Sequence, residues 1–183
     1  SEVPVDPTAL VIGGGISGMT SSLCLANQGF RVYLVEKEPE LGGMLKKINR
    51  LYPTNEETAT VLKASIDAVN NHKNITTLTS TNLKSVEGYI GNFDVTAVKN
   101  GEESKFKVGT IIIATGAVEY RPSGLYGYDQ YDRVLTQVDL ERVLQSGKAV
   151  MDKFFKPQRI AMIQCVGSRA AEQDLQGGHP YCS

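Results

Sequence analysis

The chain has 183 residues, 41% of them hydrophobic, with 19 basic side chains against 20 acidic ones and a formal net charge of −1. That length suits one domain or one and a fraction, and the apolar share is enough for a core. The near-neutral balance gives no footing for nucleic acid or an anionic lipid surface, and no apolar run reaches the ~18 residues of a membrane span. Three cysteines are too few for a secreted disulfide framework, and residues 1–8, with Glu2, Pro4, Asp6 and Pro7, hold no signal-peptide core. The expected location is the cytoplasm. A start at Ser1 rather than Met leads us to expect a processed, tagged or cut N-terminus.

The first predicted strand is Ala9-Leu10-Val11-Ile12. It runs into Gly13, Gly15 and Gly18, spaced G-x-G-x-x-G, and then into a helix over about Ile16 to Gln28 with Met19, Leu23 and Ala26 facing inward and Gly29 as its stop. A second strand, Arg31 to Glu36, closes on an acid. Strand, glycine turn, helix, strand and acid together mark a dinucleotide site. Gly13 allows the sharp exit from the strand, Gly15 lets a pyrophosphate approach the backbone, and Gly18 lets helix and sheet close up. Gly14, Ile16 and Ser17 complete the turn, whose free N–H groups and helix dipole suit phosphate. Glu36 is placed for ribose hydroxyls and would repel a 2′-phosphate, which argues against NADP. Lys37 is a candidate neighbour of the adenosine.

A second glycine turn follows at Gly42-Gly43-Met44, and Lys46 to Pro53 come after it. Thr54-Asn55-Glu56-Glu57 reads as a capping box opening a helix with Leu62, Ile66 and Val69 buried and His72 and Lys73 at its end. Strands are expected at Ile75 to Thr79, Leu83 to Glu87, Phe93 to Val98 and Lys105 to Val108, with Asn100-Gly101 as a hairpin turn between the last two. Thr110 to Ile113 is continuously apolar, as a strand buried on both faces should be, and ends in Ala114-Thr115-Gly116. Thr136 caps a helix carrying Leu140, Val143 and Leu144, with Gly147 as its stop. Arg159 to Gln164 reads as a further strand.

The glycine turn with Glu36, the Gly42-Gly43 turn, the β-meander and Ala114-Thr115-Gly116 resemble the FAD domain of two-dinucleotide-binding flavoproteins, the glutathione and thioredoxin reductase-like class. The segments Glu36 to Gly43, Gln164-Cys165-Val166-Gly167-Ser168-Arg169 and Tyr181-Cys182-Ser183 are similar to the A subunits of heterodisulfide reductases. The resemblance implies an α/β fold: a Rossmann-like FAD-binding sheet with an inserted antiparallel meander, cut before the second nucleotide-type domain is complete. On this reading residues 1–8 are a lead, 9–125 the FAD-binding segment, 126–156 a connecting helical segment and 157–183 the start of the second domain.

It further implies FAD held by Gly13 to Gly18, Glu36, Lys37, Gly42 to Met44, Ala114 to Gly116 and the backbone of Leu83. In a longer parent, Cys165 and Cys182 would join other cysteines in ligating a [4Fe-4S] cluster; two thiolates cannot complete such a site. Implied partners are other heterodisulfide reductase-type subunits, a hydrogenase or dehydrogenase donor, and ferredoxin.

Two features of the residues sharpen this. No cysteine stands between Gly43 and Gln164, so a flavin here has no redox thiol pair beside it, which favours electron transfer over self-contained disulfide reduction. No Gly-Asp dipeptide occurs, and such a pair holds the ribityl chain in these folds, so a fragmentary chain that holds FAD weakly or not at all is expected. No residue looks like a general base or nucleophile. Cys24 is expected in the core, His72 as a solvated cation, and His179 as a tail residue. The alternatives are an NAD(P)H-using flavin reductase of the same superfamily and a non-catalytic protein with a relic nucleotide fold.

Overall fold

The computed structural model describes residues 4–146 and 159–167. In chain order the elements are β1 (Ala9–Ile12), α1 (Ile16–Asn27), β2 (Val32–Val35), a 3-10 turn (Gly43–Lys47), α2 (Thr58–Asn70), β3 (Ile75–Leu78), β4 (Thr81–Tyr89), β5 (Asn92–Lys99), β6 (Glu102–Val108), β7 (Thr110–Ile113) and α3 (Gln137–Gln145). The chain divides into two compact units, Ser1–Ala117 and Val118–Ser183.

The first unit carries a parallel sheet in the order β3-β2-β1-β7 and an antiparallel sheet in the order β4-β5-β6. β1 sits inside the parallel sheet, with Ala9 opposite both Val32 and Thr110. Successive side chains of a strand point to opposite faces, so β1 feeds two cores. Ala9 and Val11 join Met19, Ala26, Leu34 and Val69 on the side of α1 and α2. Leu10 joins Val35, Val95 and Val108 on the side of the meander. Each such large side chain, taken fully out of water, contributes about 1.5–3 kcal/mol before entropy is counted.

Three expectations need correction in this unit. β7 is not buried on both faces: among the described residues it is the last strand of the parallel sheet, and Ile113 is 75% exposed at its end. Its apolar run reflects two half-covered faces beside β1 rather than full burial. The Thr54 capping box does not form. α2 starts at Thr58 behind Glu57, which makes no side-chain cap. The preceding turn is closed by its own backbone instead: Asn55 N–H donates to Leu51 O, Leu51 N–H donates to Glu56 O, and Arg50 bridges to Glu57. Cys24 is exposed, because it follows the buried Ser22 by only two residues and so turns to the outer face of α1. His72 Nδ1 lies 3.2 Å from the Asn74 N at the end of α2. The Asn100-Gly101 turn forms as expected between β5 and β6, with both residues at positive φ.

In the second unit α3 opens with a reciprocal cap. The Thr136 hydroxyl accepts the Asp139 N–H and the Asp139 carboxylate accepts the Thr136 N–H. No residue of α3 is buried. Polar contacts hold it instead: Thr136 donates to Glu119 at 2.5 Å, Tyr128 donates to Asp139 at 3.3 Å, and Arg121 stands 3.6 Å from Glu119 and 3.8 Å from Asp139. Burial pushes the Asp139 carboxyl up, but the hydrogen bonds from Thr136 and Tyr128 and the nearby Arg121 charge outweigh it and hold it below the ordinary 3.8. Arg159 to Gln164 is not a strand among the described residues, and Ile160 and Met162 are exposed. An extended segment needs a neighbour to take its N–H and C=O groups, and among the described residues no strand is paired to it. Gly147 lies outside the described residues.

Candidate functional site

The glycine turn is packed from three sides and open on the fourth. Gly13 N–H donates to Val35 O at 2.8 Å, and Ala114 N–H donates to Ile12 O at 2.8 Å, so β2 and β7 fix the exit of β1. A Cβ on Gly13 would overlap the Ala114 carbonyl, and one on Gly18 would overlap the Gly13 carbonyl. These two positions admit no side chain. Gly15 has nothing within 4 Å of its Cβ position. As N-cap of α1 it supplies no side-chain cap, and the first turn carries no acid. Ile16 and Ser17 are exposed there. The result is an open place above first-turn N–H groups at the positive end of a helix, which is what a pyrophosphate needs.

Glu36 stands beside this turn, 7% exposed. Its Oε2 accepts the Gly14 N–H at 2.6 Å and its Oε1 accepts the Glu38 N–H at 2.9 Å. The second glycine turn closes on the first: Gly42 N–H donates to Gly14 O at 2.8 Å, and a Cβ on Gly43 would come within 3.1 Å of Gly15 Cα. The structure thus brings together Gly13 to Gly18, Glu36, Gly42, Gly43 and Ala114. Thr115 follows at the same edge, its Cα 3.1 Å from the Gly13 Cβ position. Gly116 lies in open space, Met44 is half-buried in the 3-10 turn, and Lys37 is exposed. The Leu83 side chain packs in the second apolar cluster, beside a register shift between Leu83 and Ser85.

Sequence reasoning missed Leu41, 4% exposed, whose Cδ2 together with Glu36 leaves no room for a side chain on Gly14. An isolated apolar residue just before Gly42-Gly43 was the available signal. The open Gly15, the free helix start and the buried acid fit the adenosine-pyrophosphate half of FAD.

In the second unit Cys165 is half-buried at φ +58 and lines a cavity of about 800 Å³ with Tyr120, Tyr126, Tyr128 and Arg133. Cys182 and His179 lie outside the described residues. Among the described residues no three His, Cys, Asp or Glu side chains are grouped to hold a metal ion, and no helix is long and apolar enough to cross a membrane.

A family model described as pyridine nucleotide-disulphide oxidoreductase matches residues 7–163. The whole chain aligns at 32% identity with an iron-sulfur A subunit of the CoB--CoM heterodisulfide reductase of Methanopyrus kandleri, covering 40% of that protein. That alignment runs over 268 positions against 183 residues, so about 85 of its positions face no residue of this chain. The whole chain also aligns at 30% identity with the A subunit of the H(2):CoB-CoM heterodisulfide,ferredoxin reductase of Methanothermobacter thermautotrophicus, again covering 40% of it. The chain therefore spans well under half the length of these relatives. Among solved structures, L-proline dehydrogenase from P. horikoshii superposes with a TM-score of 0.55 at 26% identity, over 63% of this chain and 23% of that one. The chain belongs to the pyridine nucleotide-disulphide oxidoreductase family, and its open glycine turn lies in an FAD-binding oxidoreductase domain.

Proposed function

We propose that this chain is the FAD-holding part of a heterodisulfide reductase A-like electron-transfer flavoprotein. One observation carries the reading: all 183 residues align with such subunits, while no cysteine stands between Gly43 and Gln164 to give the flavin a thiol pair of its own. Bound FAD supplies the redox chemistry. The residues of the cradle bind and orient. Gly14, Ile16, Ser17 and Gly18 present the turn to the pyrophosphate, Glu36 takes the ribose hydroxyls, and Lys37 and the Leu83 backbone border the adenosine. Gly42, Gly43 and Met44 lead toward the ring, and Ala114, Thr115 and Gly116 close the far side.

In the parent protein the electrons come from a hydrogenase or dehydrogenase in the cytoplasm, and they pass to a disulfide-reducing partner and to ferredoxin. Cys165 and Cys182, with further thiolates of a longer parent, would hold a [4Fe-4S] cluster there; iron and sulfide analysis of a longer chain tests that.

The reading of the cradle is tested by titrating the purified chain with FAD and with FMN and following flavin fluorescence. FAD is expected to bind saturably but weakly, FMN not at all, and Glu36→Ala to weaken FAD by about tenfold or more, the worth of hydrogen bonds to a charged group. Equal binding of FMN and FAD, or of neither, overturns it.

A further inference from the structure

The first unit has a concave place apart from its glycine turn. It is a cavity of about 550 Å³ between α2, the end of β3 and the loop after β2. That volume lies within the range of small-ligand sites. Leu41, Leu62 and Ile66 give it an apolar lining that is continuous with the first core cluster. Thr77 stands opposite Leu34 in the sheet register, on the face turned to the helices, and Thr79 lies two positions further on. Lys46 and Glu40, both exposed, border the opening. Among the described residues the ion pair of Lys46 is with Glu40 at 3.7 Å, and the Glu40 side chain is 78% exposed. An exposed pair of that length contributes little, so the ammonium is available to another anion.

None of Gly13 to Gly18 borders this cavity, nor do Glu36, Lys37 or Leu83, so it is not part of the cradle. Two of its side chains nevertheless touch the cradle. The Leu41 Cδ2 fills the place that a Cβ on Gly14 would take. Gly14 in turn donates its N–H to Glu36 and accepts the Gly42 N–H at its carbonyl. The Leu62 methyls stand 3.1 Å from the Cβ position of Gly42. A close-packed interior passes a displacement on to its neighbours. A molecule pressing on Leu41 and Leu62 therefore acts on both glycine turns.

We propose that this cavity binds a small carboxylate with an apolar body, and that the bound molecule acts on the glycine turn through Leu41. The body lies on Leu62 and Ile66, and the carboxylate meets the Lys46 ammonium and the threonine hydroxyls. The polar groups favour an anion. Lys46, Thr77 and Thr79 can all donate a hydrogen bond, while Glu40, which cannot, is free to turn into water. A single ammonium suits a single carboxylate, and the lining offers a polyphosphate no second cation. The site goes beyond the flavin reading, and its occupation is measured with no flavin present.

The test is an amide chemical-shift titration of the full chain with isocaproate, a branched aliphatic body bearing one carboxylate, and with isocaproamide, its neutral counterpart. Isocaproate is expected to give saturable shifts at Leu62, Ile66, Thr77 and Thr79, and at Gly14 beyond the cavity. The amide is expected to bind at least about tenfold more weakly, since it forfeits a hydrogen bond between charged groups. Lys46→Gln alters an exposed side chain and should leave the fold intact. It is expected to weaken isocaproate by about tenfold and to leave the amide unchanged. No saturation by isocaproate at millimolar concentration overturns the proposal, as does equal binding of acid and amide, or a Lys46→Gln chain that binds isocaproate like the wild type. Shifts in the cavity with Gly14 unmoved overturn the action on the turn. A chain that binds isocaproate in this pattern but not FAD sinks the flavin reading alone.

Discussion

The two units support their glycine turns by different means. In the first, the turn is framed by strands whose side chains are fully buried: Leu10, Val11 and Leu34 are all 0% exposed. In the second, Tyr128 is the one buried hydrophobic residue among those described, and α3 stands on a cap and a set of partly exposed charges. A packed core is rigid and resists small changes of volume, whereas exposed ion pairs contribute little each. The comparison teaches that a site requiring bare backbone needs a stiff support. The first unit gives its turn that support, and the second does not.

The largest effect should come from closing the gap at Gly18. Gly18→Val drives a side chain into the Gly13 carbonyl and is expected to abolish FAD binding and cost more than about 3 kcal/mol, read by flavin titration and denaturant midpoint. Gly167→Ala sets a Cβ against the Tyr120 ring at φ +78 and should cost about 1–2 kcal/mol while leaving FAD affinity unchanged. Equal losses for the two would break the comparison.

Next come the cores. Leu34→Ala leaves a cavity in the first unit and should cost about 2–5 kcal/mol, whereas Leu140→Ala on the half-exposed face of α3 should cost under about 1 kcal/mol. Thr136→Ala removes the cap of α3 and should cost about 1 kcal/mol, visible as faster amide exchange in that helix and not in α1.

The smallest effect is acid sensitivity. Asp139 is held below 3.8 in the folded chain, so its contribution is complete above that value and is lost as the pH falls through 3.8 toward the lower folded value. Chemical shifts of α3 should move in that window and be restored on neutralisation. An α3 unchanged through it would show that Arg142 and Arg121 do not depend on the charge of Asp139.

What was legible in the sequence was local. β1, the turn, α1, β2 and Glu36 follow one another within a short stretch, and each residue type has its own reason to be there. Asn100-Gly101 and Thr136 were legible for the same reason, since turn and cap chemistry act over a few residues. What failed depended on distant neighbours. Thr110 to Ile113 carries the composition of a strand buried on both faces, but among the described residues it pairs with β1 alone. Arg159 to Gln164 has strand composition but no paired strand among the described residues. Thr54 matched a cap pattern that the Arg50 to Glu57 pairing made unnecessary. Within the site, the spacing pointed Glu36 toward a ligand but not toward Gly14, a contact that emerges only when the turn has folded back on the strand end.

That second role limits what the cradle can accept. A carboxylate offers about four lone-pair positions. One on each Glu36 oxygen is already taken, by the Gly14 and Glu38 amides. The two that remain match the two donors of a vicinal diol. Because the same amides hold the carboxylate still, an arriving sugar does not have to immobilise its acceptor first, and little rotamer entropy is lost on binding.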